Sequence, residues 1–160
     1  MEEGIVVKSY KTYCLVCGKG KDFEEISSFD SALINAGIGN YNLVKISSIL
    51  PAGCKRTENI AEADGTILYT AYITKSTRTR EQIAVAVAVA IPQSIHSCGV
   101  IIKYAHKGSK DAAEKKARLL AIKAMEKRSI PIDRVEVIGS EIIGEDTCYS
   151  SVFAGLVLLE

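Results

Sequence analysis

Residues 83–91 read Ile-Ala-Val-Ala-Val-Ala-Val-Ala-Ile, a strict alternation of β-branched and small side chains. β-Branched residues favour strands, because they pack well on a pleated surface and lose rotamer freedom in a helix. Successive residues of a strand point to opposite faces, so one face of this strand carries the valines and the other carries the alanines. A strand with no polar face is typical of the centre of a sheet that is covered on both sides.

The segments around this strand indicate one domain of mixed α and β structure. The first helix is expected to take Ser28 or Asp30 as its N-cap and to stop at Gly37, and the polar residues 19–25 before it are expected to be flexible. Neither an internal repeat nor a linker divides residues 1–160, so we expect a single domain in which sheets pack face to face with helices outside. The pattern predicts strands over residues 4–17, 41–46, 65–75, 83–91, 98–105, 134–143 and 147–159, and helices over residues 27–36 and 109–128.

Composition and charge argue against several classes of protein. The chain has 20 Lys and Arg against 19 Asp and Glu, so it lacks the basic excess with which proteins bind nucleic acid. The longest apolar run, residues 83–92, is far shorter than the roughly 20 residues that span a bilayer. Residues 1–8 lack a basic export signal, and five cysteines cannot complete a disulfide framework. We expect a cytoplasmic protein, and the positive mean hydropathy favours an oligomer.

The stretch from Asn35 to Gly53 contains the most informative chemistry. Gly37 and Gly39 do not form a dinucleotide-binding loop, because they follow a helix and precede a strand, which is the reverse of the required order. Ser47 and Ser48 lie between a predicted strand and a turn that contains Pro51 and Gly53. A serine pair in such a place has two interpretations.

In the first interpretation, the Ser48 hydroxyl attacks the Ser47 carbonyl and the amide rearranges to an ester. Elimination then cuts the chain, and the new N-terminal dehydroalanine hydrolyses to a pyruvoyl group. The attack needs a held geometry and a donor for the developing oxyanion, which the amide of Asn42 on the incoming strand is able to supply or organise. In the second interpretation, the two hydroxyls only make local backbone hydrogen bonds in a turn.

The run Gly37–Asn42 through Ile46–Pro51, with Phe29-Asp30 before it and Ala90–Pro92 and Cys98-Gly99 after it, resembles the pyruvoyl-dependent arginine decarboxylases. The likeness covers most of the chain and is most specific from Asn42 to Pro51. It implies an α+β fold, a four-layer αββα sandwich, assembled as trimers or pairs of trimers with active sites between subunits. It also implies self-cleavage between Ser47 and Ser48, giving a β chain of residues 1–47 and an α chain of residues 48–160.

The resemblance further implies the reaction and its cofactor. Ser48 becomes a covalent pyruvoyl group, which forms a Schiff base with L-arginine and takes up the electrons released as CO₂ leaves, as pyridoxal phosphate does elsewhere. The product is agmatine, a precursor of polyamines. Asp30 matches the aspartate that binds the substrate guanidinium, since a carboxylate pairs bidentately with that planar group. From the sequence alone, Asp30 fits the N-cap of the first helix equally well.

Lys103 departs from the family pattern, because it stands where the family has a glutamate that donates a proton. Lys103 replaces this acid with its pKa lowered by burial, or Tyr104 serves instead, or catalysis is weak or altered. An ammonium also repels the guanidinium of arginine. The alternatives are therefore a non-catalytic homologue that partners an active paralogue, or a pyruvoyl enzyme for an acidic amino acid.

Other candidate sites carry weaker signals. Cys14 and Cys17 have CxxC spacing, but they lie in a predicted strand without a second pair, so we expect structural cysteines and no metal. His96 and His106 are ten residues apart without a carboxylate cluster. A second serine pair, residues 150–151, lacks a flanking proline and is expected to be inert.

Overall fold

Nine strands and two helices run through residues 9–160, the part of the chain that our computed structural model describes. One helix follows the first strand, and the other follows the seventh strand. The elements are β1 (Thr12–Asp22), α1 (Glu25–Asn35), β2 (Asn42–Lys45), β3 (Ile49–Leu50), β4 (Lys55–Arg56), β5 (Ile67–Thr77), β6 (Gln82–Pro92), β7 (Gly99–Lys107), α2 (Lys110–Lys127), β8 (Ile132–Ile143) and β9 (Tyr149–Leu159).

The strands form two sheets. The first sheet has five strands in the order β2-β5-β9-β1-β4, and the second has four in the order β3-β7-β6-β8. In the first sheet β9 is antiparallel to both β1 and β5, whereas the short strands β2 and β4 pair in parallel at its edges. The pairs in the second sheet are all antiparallel. The chain thus enters the second sheet directly after β2, through the short strand β3.

The alternating strand is central, as the sequence predicts. β6 lies between β7 and β8, and residues 83–91 are buried on both faces. Its β-branched side chains, Ile83 to Ile91, pack in a core cluster with side chains of β1, β5 and β9 from the other sheet. Its alanines pack in a second cluster with α2. The four small side chains let the helix lie close to the sheet.

The second helix, predicted over residues 109–128, is confirmed as α2 with bounds that differ by one residue at each end. Ser109 is its N-cap, and the Ser109 hydroxyl accepts a hydrogen bond from the Ala112 amide at 3.1 Å. Its buried stripe, Ala113, Ala117, Ala121 and Met125, recurs every four residues and faces the alanines of β6. No helix within residues 9–160 is long and apolar enough to cross a membrane.

The first helix differs from its predicted start. α1 begins at Glu25 rather than at Ser28 or Asp30, and Glu24 occupies the N-cap position without a side-chain hydrogen bond. Ser28 is buried inside the helix, where its hydroxyl bonds to the Glu25 carbonyl and to Ser151 of β9. The packing of α1 on β9 thus places Ser28 inside the helix rather than at its N-cap. The stop at Gly37 is confirmed, with φ at 81° directly after the Ala36 C-cap.

Strand β1 is longer than the sequence predicts at its C-terminal end. Residues 19–22, expected to be flexible, pair with β9 in an unbroken antiparallel ladder that ends at Asp22 and Tyr149. Backbone pairing with a central partner outweighs the polar character of these side chains. The predicted strand residues 4–8 lie outside the described part of the chain.

Candidate active site

The serine pair lies where the chain passes from one sheet to the other. We call Ile46–Ser48, between β2 and β3, the bridging segment. At its start the Ile46 amide donates to the Thr70 carbonyl in β5 at 3.1 Å, and at its end the Ser48 carbonyl accepts from the Ile101 amide in β7 at 2.7 Å. The Ser47–Ser48 peptide bond therefore lies between the last bond to the first sheet and the first bond to the second.

The side chains of the serine pair are accessible. Ser47 is exposed and Ser48 is half-buried, whereas Leu50, two residues further on, is buried in the core between the sheets. Within residues 9–160 the Ser48 hydroxyl makes no hydrogen bond, so the second interpretation of the serine pair, local bonding in a turn, finds no support at Ser48. The backbone is held and the Ser48 hydroxyl is uncommitted.

Gly99 allows β3 to approach β7 closely. Leu50 pairs with Gly99 in the ladder, and Ile49 pairs with Val100. A Cβ atom at Gly99 would lie 2.6 Å from the Ala90 carbonyl oxygen and 3.2 Å from the Leu50 Cβ. A glycine here thus keeps β3, and the bridging segment attached to it, against the second sheet.

Lys103 reaches the bridging segment from β7. Its Nζ donates to the Ser47 carbonyl oxygen at 3.0 Å and to the Ile46 carbonyl oxygen at 3.4 Å. Lys103 shares a strand face with Ile101, which packs between the sheets, because the two positions are two residues apart. Burial is the main factor that lowers the pKa of Lys103, and the nearby charge of Lys45 lowers it further.

The charge around the bridging segment is positive. Lys45, the last residue of β2, places its Nζ 5.0 Å from the centre of the Tyr72 ring. Among the described residues, no carboxylate lies within ion-pairing distance of Lys103. Two lysines without a carboxylate partner favour any step in which a nearby oxygen becomes negative.

Asn42 lies at the start of β2. Its Nδ2 donates to the Gly65 carbonyl at 2.8 Å, and its backbone amide donates to the Thr66 carbonyl at 3.0 Å. These bonds fix the register in which β2 leads into the bridging segment. The amide thus organises the incoming strand in this structure, and its part in self-cleavage stays a prediction.

Asp30 lies on the exposed side of α1. It sits within the helix and not at its N-cap, which removes the capping interpretation. No hydrogen bond or ion pair of the described residues joins Asp30 to the bridging segment. Its carboxylate is free to meet a ligand or another subunit.

The remaining candidates lie away from the bridging segment. Cys14 packs in the cluster that contains α1 residues and Cys17 packs in the cluster between the sheets, so the CxxC pair points to opposite faces of β1. Tyr104 packs in the cluster with α2, on the face of β7 opposite Lys103. His106 Nε2 lies 2.8 Å from the Ser109 carbonyl oxygen. The described residues hold no group of side chains suited to a metal ion.

Sequence reasoning missed the contact between Lys103 and the Ser47 carbonyl. The two residues are 56 positions apart, and only the pairing of β3 with β7 brings them together. The sequence singles out Lys103 because of its departure from a family pattern. No spacing rule indicates that its ammonium faces the serine pair.

Comparisons with known proteins identify relatives of this chain. The profile of the pyruvoyl-dependent arginine decarboxylase family matches residues 12–160. The chain is 40% identical over 131 residues to the pyruvoyl-dependent arginine decarboxylase of Methanocaldococcus jannaschii, covering 81% of this chain and 79% of that protein. It is 37% identical over 143 residues to the enzyme of the same name from Methanococcus aeolicus, covering 87% and 85%. The Pyrococcus abyssi enzyme of that name is 30% identical over 133 residues, covering 81% and 84%. The chain belongs to the pyruvoyl-dependent arginine decarboxylase family, carboxy-lyases that use a covalently bound pyruvoyl group.

Proposed function

We propose that the chain is a self-processing decarboxylase that converts L-arginine to agmatine and CO₂. Its pyruvoyl group would derive from Ser48 by cleavage between Ser47 and Ser48, giving residues 1–47 and 48–160. A single observation supports this proposal. The bridging segment is anchored to both sheets, while the Ser48 hydroxyl makes no hydrogen bond within residues 9–160. A held backbone beside an uncommitted hydroxyl fits an intramolecular attack.

The processing step balances without an added reagent other than water. The Ser48 Oγ bonds to the Ser47 carbonyl carbon, the Ser48 amide nitrogen leaves as an amine, and an ester results. Loss of the Ser48 Cα proton then expels the Ser47 carboxylate and leaves dehydroalanine at residue 48. Addition of one water and release of one ammonia complete the carbonyl. The structure supports this route through the half-buried position of Ser48.

In the decarboxylation, the pyruvoyl group supplies an electrophilic carbonyl that withdraws electrons from the bond to the substrate carboxylate. Asp30 would bind the guanidinium through paired charge-assisted hydrogen bonds. Lys103 would deliver the proton to the substrate Cα in place of the family's glutamate. Its lowered pKa makes the ammonium a better acid near neutral pH, which supports this role.

We infer that the domain is a four-layer αββα sandwich that forms trimers or pairs of trimers with active sites between subunits. Three separate core clusters support the layers, because one joins the two sheets, one joins α2 to the second sheet and one joins α1 to the first. Apolar side chains of Val44 and Ile49, 41% exposed each, flank the bridging segment and support a subunit contact there.

A mixing experiment tests whether the site lies between subunits. Co-expression of Asp30→Asn with Ser48→Ala is expected to restore arginine decarboxylation, because some interfaces then combine an intact Asp30 with an intact Ser48. Each variant alone is expected to be inactive or strongly impaired. If the mixture is no more active than the two variants measured separately, both residues act within one subunit. The proposal of an active site between subunits is then wrong.

A second function deserves a test because Lys103 and Lys45 make the site cationic. Two ammonium groups repel a guanidinium, so the enzyme would take an acidic amino acid, or it would be a weakly active partner of an active paralogue. Decarboxylation of arginine, glutamate and aspartate by the same preparation separates these functions. Turnover of arginine alone supports the first proposal, and turnover of neither class supports the partner role.

The primary experiment is an intact mass spectrum of the denatured protein. Two fragments that split between Ser47 and Ser48, with a pyruvoyl terminus on the larger, are expected for the wild type, and one uncut chain for Ser48→Ala. A wild-type protein that stays a single chain on incubation would overturn the proposal. We place the enzyme in the cytoplasm, on the ground that its five cysteines are all free thiols in the structure.

A further inference from the structure

The hydrogen bond from Lys103 to the bridging segment ends on the peptide group that self-cleavage would break. The Lys103 ammonium donates to the carbonyl oxygen of Ser47, whose carbon the Ser48 hydroxyl must attack. Within residues 9–160, Lys103 is the side chain that donates to this oxygen. The Asn42 amide is committed elsewhere, because it donates to the Gly65 carbonyl at 2.8 Å.

The contact of Lys103 with the Ser47 oxygen would stabilise the tetrahedral state more than it stabilises the intact peptide. In the intact chain the ammonium is shared between the Ser47 oxygen at 3.0 Å and the Ile46 oxygen at 3.4 Å. When the attack places a full negative charge on the Ser47 oxygen, that oxygen becomes much the stronger acceptor. An interaction that strengthens as the transition state forms lowers the barrier rather than only stabilising the ground state.

The surrounding charge acts in the same direction. Lys103 has no carboxylate partner among the described residues, and the charge of Lys45 lowers its pKa further. A new oxyanion on the Ser47 oxygen would give the Lys103 ammonium a counter-charge that it lacks among these residues. An ionised glutamate at position 103 would instead repel the same oxyanion.

We propose that Lys103 is a catalytic residue of self-cleavage, whose ammonium stabilises the oxyanion on Ser47 during attack by Ser48. This inference rests on the proposed function, since it assigns a role within the same Ser47–Ser48 cleavage. It adds a role to Lys103 that is separate from proton delivery to the substrate, because the cleavage precedes any substrate binding.

The test follows cleavage in newly made chains. Wild type, Lys103→Arg, Lys103→Gln and Lys103→Met are synthesised in a cell-free system with radioactive leucine, translation is stopped, and the uncut chain is measured against time on denaturing gels. The matched control is Lys107→Met, which removes an exposed lysine from the same face of β7, where it pairs with Glu81 at the surface. Thermal unfolding of each chain in a Ser48→Ala background shows that the variants fold.

Removal of an oxyanion donor slows related reactions by about 10²–10³-fold. We expect Lys103→Met to slow cleavage by about this factor, Lys103→Gln to slow it less because its amide is a neutral donor, and Lys103→Arg to keep most of the rate. Lys107→Met is expected to match the wild type. A folded Lys103→Met chain that cleaves at the wild-type rate would overturn this inference and leave the proposed function intact. A wild-type chain that never cleaves would overturn both.

Discussion

One residue, Lys103, gives the site its chemical character. A glutamate in this place would bring a negative charge to the Ser47 carbonyl, whereas the ammonium brings a donor and a positive charge. The same group is thus suited to the cleavage, in which an oxyanion forms, and is poorly suited to a guanidinium close by. Under the proposed function, the carboxylate of Asp30, exposed on α1, would hold the positive end of the substrate away from Lys103.

The first prediction concerns the pH dependence of cleavage. Burial and Lys45 lower the pKa of Lys103 from its ordinary value, so the ammonium is lost at a lower pH than that of an ordinary lysine. The rate ratio of wild type to Lys103→Met should therefore be greatest below this lowered pKa and fall as the pH rises through it. In a Lys45→Met background the fall should move to higher pH. A ratio that does not change with pH would contradict this prediction.

The second prediction concerns Asp30. Asp30→Asn removes the charge from a charge-assisted hydrogen bond, which contributes about 1.5–3 kcal/mol, so the KM for arginine should rise by about 10–100-fold. Self-cleavage should proceed normally, because no bond joins Asp30 to the bridging segment. Glu24→Gln, which neutralises an exposed carboxylate beside the same helix, is the control. Steady-state kinetics measure the KM for arginine of each variant. An unchanged KM in Asp30→Asn would show that Asp30 does not bind the substrate.

At the scale of elements, the two-residue strand β3 holds the serine pair in place. Gly99→Ala would bring a Cβ to 2.6 Å from the Ala90 carbonyl oxygen, so β3 or β6 must shift. We expect a loss of about 1–3 kcal/mol in stability and slower cleavage. Cys98→Ala, one residue earlier and outside the strand, is the control. Urea unfolding in a Ser48→Ala background and cleavage kinetics measure the two effects, and a variant unchanged in both would show that the close approach is unimportant.

The packing of the alanines of α2 on those of β6 leads to a second prediction at the scale of elements. Ala117 is buried against the alanines of β6, so Ala117→Leu forces extra volume into a packed layer and should cost about 1–3 kcal/mol. Lys116→Leu introduces the same side chain on the exposed face and should change stability little. The difference between the two urea midpoints is the measurement. Equal midpoints would mean that the layer has room for a larger residue.

Local sequence patterns predicted some of these elements and not others. The alternation in residues 83–91 specifies both faces of β6, and Ser109 followed by a four-residue alanine repeat specifies α2, because each signal is contained within its own segment. The start of α1 and the extension of β1 to Asp22 depend on contacts with β9, more than a hundred residues away. The two-residue strands β3 and β4 are too short to carry a period. The serine pair and Lys103 were therefore recognisable by resemblance, whereas the contact between them was not.

At the scale of the whole molecule, the proposed cut would leave two interwoven pieces. Residues 1–47 contribute β1, α1 and β2, and β1 lies inside the first sheet between β9 and β4 with eleven residue pairs to β9. The pieces are thus held together by a continuous ladder between β1 and β9 along the whole length of β1. The processed protein should stay assembled without a covalent link.

This arrangement makes refolding differ before and after the cut. Uncut Ser48→Ala chains should refold from urea at a rate that does not depend on protein concentration, because all strands are on one chain. Processed wild type should refold at a rate that rises with concentration, since the two pieces must find each other, and with lower yield. Far-UV circular dichroism at several concentrations makes the comparison, and concentration-independent refolding of the processed protein would contradict the interwoven product.

The bridging segment therefore sets an order of events in the life of each molecule. The anchors on Ile46 and Ser48 exist only once both sheets have formed, so folding must come before cutting. The proposed cut would then remove the connection that guided β2 and β3 to their separate sheets. A cut chain that unfolds would lack part of the connectivity that directed its folding, so its activity would be renewed by synthesis of new chains rather than by refolding of old ones.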